Sequence, residues 1–247
     1  MFKGLLRWLR VLWAIAVWVV VISVSWVLLL GAFDAPLTWL MAEQAKEQGR
    51  LHRIVVPLGA MARSLPLAVI ASEDQRFMTH DGFAWEAIQK AREEHLRGRR
   101  LRGASTISQQ TAKNVFLWPD RSWLRKGMEV WFTVLIETLW TKERILEVYL
   151  NVAELGRGVF GAEAAAQHCF NRPAAKLTRE QSALMATILP APRRYDCRKP
   201  GPYLSGRQQW VLRQMRNVGD VLDPEVLERR RDKIEREKKA VRKGGAK

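Results

Sequence analysis

The chain has 247 residues, 48% of them hydrophobic, and a formal net charge of +16 at pH 7. This length accommodates one sizeable domain and a membrane segment, but hardly two large domains. The excess of basic residues indicates an anionic partner, such as nucleic acid, acidic lipid or a phosphate-bearing substrate, without choosing among them.

The first segment predicts a membrane anchor. Val11 to Phe33 contains no charged residue, and as a helix rising about 1.5 Å per residue it would cross a hydrocarbon core of roughly 30 Å. Basic residues precede it and Asp34 follows it, so we expect residues 1–10 in the cytoplasm, residues 11–33 across the membrane and the rest exported. A cleaved signal peptide, the main alternative, usually has a shorter apolar core and a small-residue cleavage site.

The predicted export of the domain affects two further inferences, the class of its partner and the state of its cysteines. An exported basic domain disfavours nucleic acid, and no zinc finger, RNA-binding signature or basic zipper occurs in the sequence. Cys169 and Cys197 both lie on the exported side, where one disulfide is one alternative and two separate thiols are the other.

The rest of the chain is predicted to be mainly helical. Residues 34–64 form a membrane-proximal connector with one short β-like stretch at residues 53–58. Helical spacing is expected at residues 65–77, 85–96, 106–114, 122–155, 162–170 and 177–189. Residues 223–247 are mostly Arg, Lys and Glu. We expect this tail to be a solvated helix that frays into disorder, with binding to acidic lipid as the secondary alternative.

The segment GASTISQQTAKN, residues 103–114, combines a helix start with groups suited to an anion. Thr106 and Gln109 have the spacing of a capping box, and simple capping is the interpretation that this segment favours by itself. A helix N-terminus also offers free N–H groups and the positive end of its dipole to a phosphate. Lys113 follows Gln109 and Gln110 by four and three positions, so one helical face can carry all three.

Two carboxylates are candidates for chemistry. Glu73 comes just after the apolar run LPLAVIA, where partial desolvation would give it the raised pKa of a general base, although an isolated glutamate is usually a surface residue. Glu129 lies four residues after Arg125 and three after Lys126. Both cations can therefore lie beside its carboxylate on a helix, and ordinary ion pairing is the alternative.

Four segments in order, SEDQRFMTHDG, GASTISQQTAKN, RKGME and KERILEVYLN, closely resemble the successive motifs of the peptidoglycan glycosyltransferase family. The resemblance covers roughly Leu65 to Arg194, and four motifs in the right order argue against a chance match. The first motif usually reads H-x-G-x-D in the family, whereas this chain has Ala84 at the last position. No S-x-x-K followed by K-T-G occurs, so we expect a monofunctional member without a transpeptidase module.

This resemblance implies a mainly α, lysozyme-like glycosyltransferase domain over residues 65–222, with a small membrane-proximal lobe, after one N-terminal transmembrane helix. It implies a location in the inner membrane, with the catalytic domain in the periplasm. In the implied reaction, which builds the cell wall, the 4-hydroxyl of lipid II attacks the anomeric carbon of the lipid-linked growing chain. The anomeric carbon is inverted and undecaprenyl pyrophosphate leaves. The implied partners are lipid II, the lipid-linked glycan chain, inner-membrane lipids and other cell-wall synthesis or division proteins, but no nucleic acid.

The resemblance also implies roles for individual residues. Glu73 would be the general base and Glu129 the second catalytic carboxylate, which would also bind a divalent cation, Mg²⁺ or Mn²⁺, at the pyrophosphate. His80 would pack or orient, and the fourth motif, with Tyr149, would be mainly architectural. The residues implied to bind substrate are Ser105, Thr106, Gln109, Gln110, Lys113, Asn114, Arg121, Arg125 and Lys126.

Two other functions fit parts of the sequence. A lytic or lysozyme-type hydrolase would use one or two carboxylates on a related fold, but its sugar leaving group gives no reason for the basic cluster or the membrane anchor. A non-enzymatic membrane scaffold would carry a degenerate copy of the domain. Ala84 is the one sign of degeneration, whereas Glu73 and Glu129 are both present.

Overall fold

A computed structural model describes residues 2–49, 51–85, 89, 93, 105–120 and 122–244. The fold is mainly α, as the sequence predicts. The predicted helix at residues 85–96 lies largely outside the described residues. The α-helices are α1 (Phe2–Ala32), α2 (Trp39–Gln48), α3 (Ser64–Glu73), α4 (Ile107–Phe116), α5 (Trp123–Leu139), α6 (Lys142–Val152), α7 (Ala162–Phe170), α8 (Arg179–Ile188), α9 (Pro202–Val218) and α10 (Pro224–Gly244).

Within the described residues, three short strands form one small sheet. They are β1 (His52–Arg53), β2 (Glu154–Gly156) and β3 (Val159–Phe160), in the order β1-β3-β2, with β1 parallel and β2 antiparallel to β3. The predicted β stretch at residues 53–58 is therefore wrong beyond Arg53. The reason is that the Asn151 side chain bonds both the N–H and the C=O of Val56, at 3.1 and 2.9 Å, in place of a strand partner.

The single helix predicted over residues 122–155 is divided into α5 and α6. Trp140 is extended, with φ −110° and ψ 155°, and ends α5. Thr141 then starts α6, because its hydroxyl accepts the N–H of Arg144 at 3.2 Å. A local capping interaction thus interrupts a continuous apolar periodicity.

Two groups of helices enclose the core and bring the motifs identified in the sequence side by side. Helix α3 packs with α8 and α9, while α4 packs with α5 and α6. The apolar run in α3 is buried at Leu65, Val69 and Ile70. Burial of this run fixes the end of α3, where Glu73 emerges next to α4.

Helix α1 is long and apolar enough to cross a membrane over Leu6–Ala32, with a mean hydropathy of 2.5. Its second half is not free, because one face of it docks on α5. The Trp131 indole N–H donates to the Ser23 hydroxyl at 3.1 Å, and the Trp140 indole N–H donates to the Val27 carbonyl at 2.8 Å. This helix fits a single-pass membrane anchor that is fixed to the domain rather than loosely tethered to it.

The charged tail forms the predicted helix, and most of its described side chains are exposed, but its start is packed on the core. Helix α10 rests on the core through Leu227. The Arg230 guanidinium donates to the carbonyls of Val218 and Gln75, at 2.7 and 3.3 Å. The predicted fraying of the tail is not tested, because its last residues, 245–247, lie outside the described part of the chain.

The two cysteines are joined. Cys169 at the end of α7 and Cys197 in the segment after α8 form a disulfide, which decides between the alternatives that the sequence left open. The bond closes a loop with a sequence separation of 28 residues. A cross-link of this length removes substantial conformational freedom from the unfolded chain.

We therefore expect Cys169→Ser/Cys197→Ser to lower the free energy of unfolding by about 3.5 kcal/mol, the size that loop-closure entropy gives for this separation. Urea unfolding of the detergent-solubilised protein measures the difference. Reduction with dithiothreitol should lower the stability of the unsubstituted protein similarly and leave the double variant unchanged. Equal midpoints for the two proteins under oxidising conditions would contradict the prediction.

Candidate active site

Glu73 is the last residue of α3, at the edge of the buried core. Its Oε2 accepts a hydrogen bond from Gln110 Nε2 at 3.1 Å, and the Ser72 hydroxyl lies 3.5 Å from Oε1. Burial raises the pKa of the Glu73 carboxyl, while the bond from Gln110 and the positive charge of Arg207 oppose the rise. A partly accessible carboxylate with a raised pKa has the properties of a general base.

The adjacent carboxylate, Asp74, holds the first two motifs together. Its Oδ2 accepts the backbone N–H of Ile107, the first residue of α4, at 3.1 Å and lies 2.8 Å from His80 Nε2. His80 Nδ1 accepts the N–H of Gly82 at 3.0 Å, so the ring proton is on Nε2 and is donated to Asp74. This geometry gives His80 the orienting role expected from the sequence.

The capping box at the start of α4 is confirmed. The Thr106 hydroxyl accepts the N–H of Gln109 at 3.1 Å, and Gln109 Oε1 accepts the N–H of Thr106 at 3.0 Å. The Thr106 hydroxyl also donates to the Gly82 carbonyl at 2.7 Å. Both side chains are buried and engaged in the fold, so their predicted contact with substrate finds no support in the geometry.

The N-terminus of α4 also binds a different anionic group from the one predicted. The sequence suggested a phosphate there, whereas the first helical N–H is bonded to the carboxylate of Asp74. Ser105, just before the helix, is exposed. Helix α4 instead faces the site with two side chains farther along, Gln110 beside Glu73 and Lys113 beside the third motif.

The third motif forms a buried cluster of charge. Glu129 is 4% exposed, its Oε1 accepts from Lys126 Nζ at 2.5 Å, and its Oε2 lies 3.7 Å from Arg125 Nη1. Burial lowers the pKa of Lys113, the attraction of Glu129 raises it, and the nearby cations Arg125 and Lys126 lower it further. Three cations therefore surround one carboxylate, which leaves the cluster with excess positive charge.

One donor in this cluster is unused. Arg125 Nε is buried and has no hydrogen-bond partner among the described residues. Lys113, Asn114 and Arg125 line a cavity of about 240 Å³, together with Leu40 and Trp118. A buried donor without a partner costs free energy, so its retention next to a cavity indicates a ligand that completes the bond.

A larger groove of about 760 Å³ adjoins this cavity. The two share Leu40 and Trp118, and the groove extends to Trp39 at the start of α2 and to Arg193. Trp39 is 65% exposed and follows the membrane helix by only a few residues. The cationic cavity thus continues into a groove on the membrane-proximal side that combines two tryptophans and a leucine with the charged side chains of Glu43, Asp120 and Arg193.

The structure brings together most of the predicted site residues in two places. Glu73 and Gln110 form one, and the other contains Lys113, Asn114, Arg125, Lys126 and Glu129. Arg121 lies outside the described residues. Sequence reasoning missed Asp74 and Arg207, because a carboxylate next to a candidate base attracts no separate notice and Arg207 lies far along the chain.

It also missed a buried polar network behind the first motif. Glu137 accepts from Ser108 and from Lys142 Nζ, the latter at 2.8 Å, and Lys142 donates in addition to the His80 carbonyl at 2.5 Å. Ser108, the second residue of α4, is fully buried. A small hydroxyl residue on the buried side of a helix was the one sequence signal that could have pointed to this network.

A divalent cation at Glu129 stays a prediction. Both carboxylate oxygens face cationic partners, Lys126 and Arg125, with Lys113 nearby. Metal sites for Mg²⁺ need several oxygen ligands. Asp120 also lines the cavity beside Arg125, but the described residues form no group of three or more His, Cys, Asp or Glu side chains at this cluster. The donor set by itself therefore does not form a metal site, and no chemical step below passes through a metal.

Comparison with known proteins gives a consistent result. Residues 41–216 match a family model described as Transglycosylase. Three similar proteins are each named biosynthetic peptidoglycan transglycosylase. The one from Xanthomonas axonopodis pv. citri is 51% identical over 220 residues, 86% of this chain and 89% of that protein. The one from Aeromonas hydrophila is 49% identical over 199 residues, covering 79% and 85%, and the one from Chromohalobacter salexigens is 54% identical over 182 residues, covering 74% and 76%.

The bridge made by Asp74 gives a prediction about stability. Asp74→Asn keeps the shape but replaces one acceptor oxygen with a donor and removes the charge, so the bonds from Ile107 and His80 weaken. We expect a loss of roughly 1–3 kcal/mol in the free energy of unfolding, measured by urea denaturation. The matched control is Asp81→Asn, because Asp81 is exposed. Equal stability of the two variants would show that the bridge is unimportant.

Proposed function

Because the chain belongs to the transglycosylase family, we propose that it is a peptidoglycan transglycosylase that polymerises glycan chains from lipid II in cell-wall biosynthesis. The domain is the mainly α, lysozyme-like one that the motifs implied. One observation carries the mechanistic part of the proposal. A carboxylate with a raised pKa at Glu73 is accompanied by a separate buried cation cluster, with an unpaired donor, beside a cavity.

The base activates the acceptor sugar. The 4-hydroxyl of lipid II is a neutral alcohol, and it must lose its proton as its oxygen bonds to the anomeric carbon of the growing chain. Glu73 takes that proton. The new bond forms on the face opposite the leaving group, so an α linkage to pyrophosphate becomes a β linkage between sugars.

The cation cluster receives the leaving group. As the bond between the anomeric carbon and the pyrophosphate breaks, its electron pair stays on the phosphate oxygen, and positive groups that are already in place stabilise that charge. Lys113 and Arg125 line the cavity, and Arg125 Nε still has a free N–H among the described contacts. In the adjoining groove, the side chains of Trp39, Leu40 and Trp118 offer apolar surface to the first isoprene units of the undecaprenyl chain.

The membrane anchor supports the choice of a lipid-linked substrate. Helix α1 docks on α5, the helix that carries the cation cluster. An enzyme fixed to the membrane surface meets its lipid substrate at a much higher effective concentration than one in solution. We propose that α1 spans the inner membrane and that the catalytic domain lies in the periplasm. Contacts with other cell-wall synthesis or division proteins stay predictions.

A glycan hydrolase is the main alternative function. Such an enzyme protonates a sugar leaving group with a carboxylic acid, and that chemistry gives no reason for the cations gathered around Glu129. Incubating the purified protein with lipid II separates the two functions. A transglycosylase consumes lipid II and produces long glycan, whereas a hydrolase leaves lipid II intact and shortens glycan that is already polymerised.

Glu73→Gln tests the base. Glutamine keeps the shape and hydrogen bonding but cannot accept the proton, so turnover of lipid II should fall roughly 100-fold or more with substrate still bound. Because Glu73 must be ionised and its pKa is raised, wild-type activity should be lost as the pH falls through that raised pKa. The residual rate of the variant should lack this acid limb. Polymerisation at nearly the wild-type rate would show that Glu73 is not the base.

Lys113→Ala tests the cation cluster. Removing a charge that stabilises the leaving pyrophosphate should lower turnover by roughly 100- to 1,000-fold at limiting lipid II. Lys46→Ala, which removes an exposed lysine from α2, is the matched control and should leave turnover unchanged. Each protein is also assayed with Mg²⁺ and with EDTA. Wild-type turnover that disappears in EDTA, together with a Lys113→Ala variant as active as the control, would assign this role to a metal instead.

A further inference from the structure

Three side chains from three different helices form a continuous hydrogen-bonded line that ends at the candidate base. Tyr149 of α6 donates its hydroxyl proton to Gln110 Oε1 at 3.1 Å. Gln110 of α4 donates from Nε2 to Glu73 Oε2, also at 3.1 Å. Tyr149 is only 1% exposed, whereas Gln110 and Glu73 are partly exposed. The line therefore runs from the core outward to the site.

The chemistry of these groups permits one orientation when the base is ionised. A carboxylate accepts hydrogen bonds and cannot donate, so Gln110 must direct its NH₂ group toward Glu73. Its carbonyl oxygen then faces Tyr149, whose hydroxyl must be the donor. Each hydrogen bond in the line therefore determines the direction of the next one.

We propose that Tyr149 is a positioning residue for Glu73, acting by holding the Gln110 amide with its NH₂ group against the carboxylate. The inference rests on the proposed function, in which Glu73 is the base. It also extends the sequence interpretation, in which the fourth motif is mainly architectural. The phenyl ring of Tyr149 fills the core, and its hydroxyl sets the direction of the amide.

The Gln110 amide needs a hydrogen bond at its oxygen to fix its orientation. The terminal torsion of a glutamine amide is broad and roughly two-fold, so the packing of Gln110 alone does not choose between its two orientations. Without a donor at Oε1, the amide can turn and place its oxygen against the carboxylate. The bond that favours the ionised form of Glu73 would then be lost.

The effect of the Tyr149 hydroxyl on Glu73 can be separated from the effects of the charged groups nearby. Its surroundings include Asp74 at the end of its own helix, Arg207 from α9, and Tyr149 from α6, with Gln110 and Ser72 as hydrogen-bond donors. Burial raises the pKa of Tyr149, and the negative charge of Glu73 raises it further, so its hydroxyl keeps its proton at neutral pH. Tyr149→Phe therefore changes no charge at neutral pH, and the hydrogen bonds through Gln110 are the contacts that link the Tyr149 hydroxyl to Glu73.

The test is the titration of Glu73 in the full chain, labelled with ¹³C-carboxyl glutamate and solubilised in detergent. Glu73→Gln identifies the resonance by removing it. In Tyr149→Phe the titration midpoint of Glu73 should rise by about one pH unit, the size expected when a hydrogen bond to a charged carboxylate is lost. The acid limb of lipid II polymerisation should move upward by the same amount, with the rate at high pH within about twofold of wild type.

The matched control is Tyr203→Phe, which removes a hydroxyl from a tyrosine that is 63% exposed and stacked on Tyr195. It should leave the Glu73 midpoint unchanged. Gln110→Met, at a partly exposed position, is a second variant that breaks the same line without touching the core. It should raise the midpoint of Glu73 as Tyr149→Phe does, and adding Tyr149→Phe to it should produce no further shift.

The outcomes separate this inference from the proposed function. An unchanged Glu73 midpoint in Tyr149→Phe would overturn the positioning role. If that variant does not fold, an unchanged midpoint in Gln110→Met would overturn it equally. A wild-type protein that does not polymerise lipid II, although its Glu73 midpoint responds to Tyr149→Phe, would overturn the proposed reaction and leave the hydrogen-bonded line intact.

Discussion

The carboxylate of Asp74 is the constraint on which the site depends. It is buried, and it joins the first helical N–H of α4 to His80 in the loop after α3. Because Asp74 directly follows Glu73, the same bridge that aligns α4 also fixes where the base leaves its helix. A negative charge at a helix N-terminus is favourable. Here the buried Asp74 carboxylate also accepts a hydrogen bond from that terminus, and the geometry of this bond restricts the direction of the helix. The helix dipole is thus used for alignment rather than for binding a phosphate.

The fold keeps two opposite electrostatic environments on neighbouring helices. Glu73 lies where burial dominates and its pKa rises, whereas Glu129 lies among cations. A base needs a pKa near the working pH, while a site for a leaving pyrophosphate needs fixed positive charge. Helix α4 contributes to both, with Gln110 at the base and Lys113 at the cations. One rigid element therefore sets the separation between the two halves of the proposed reaction.

What the sequence determined by itself was local. The apolar run before Asp34 indicated the membrane helix, helical periodicity indicated the fold class, and the spacing of Thr106 and Gln109 indicated a capping box that the structure contains. The pairing of Arg125 and Lys126 with Glu129 was also predictable. These features depend on residues three or four positions apart, and the geometry of the α-helix fixes their distances whatever the rest of the chain does. The four motifs in order added the family.

Only the tertiary structure decided which distant groups meet. The partner of the α4 N-terminus is Asp74, 33 residues away from Ile107, and the partner of Gln110 is Tyr149, 39 residues away. The cysteines form a disulfide although the sequence allowed two thiols. Such pairings depend on how whole helices pack, and packing follows from the shape and burial of many side chains at once. A spacing along one helix therefore reveals a cap or an ion pair, but not the neighbour that a folded core brings to it.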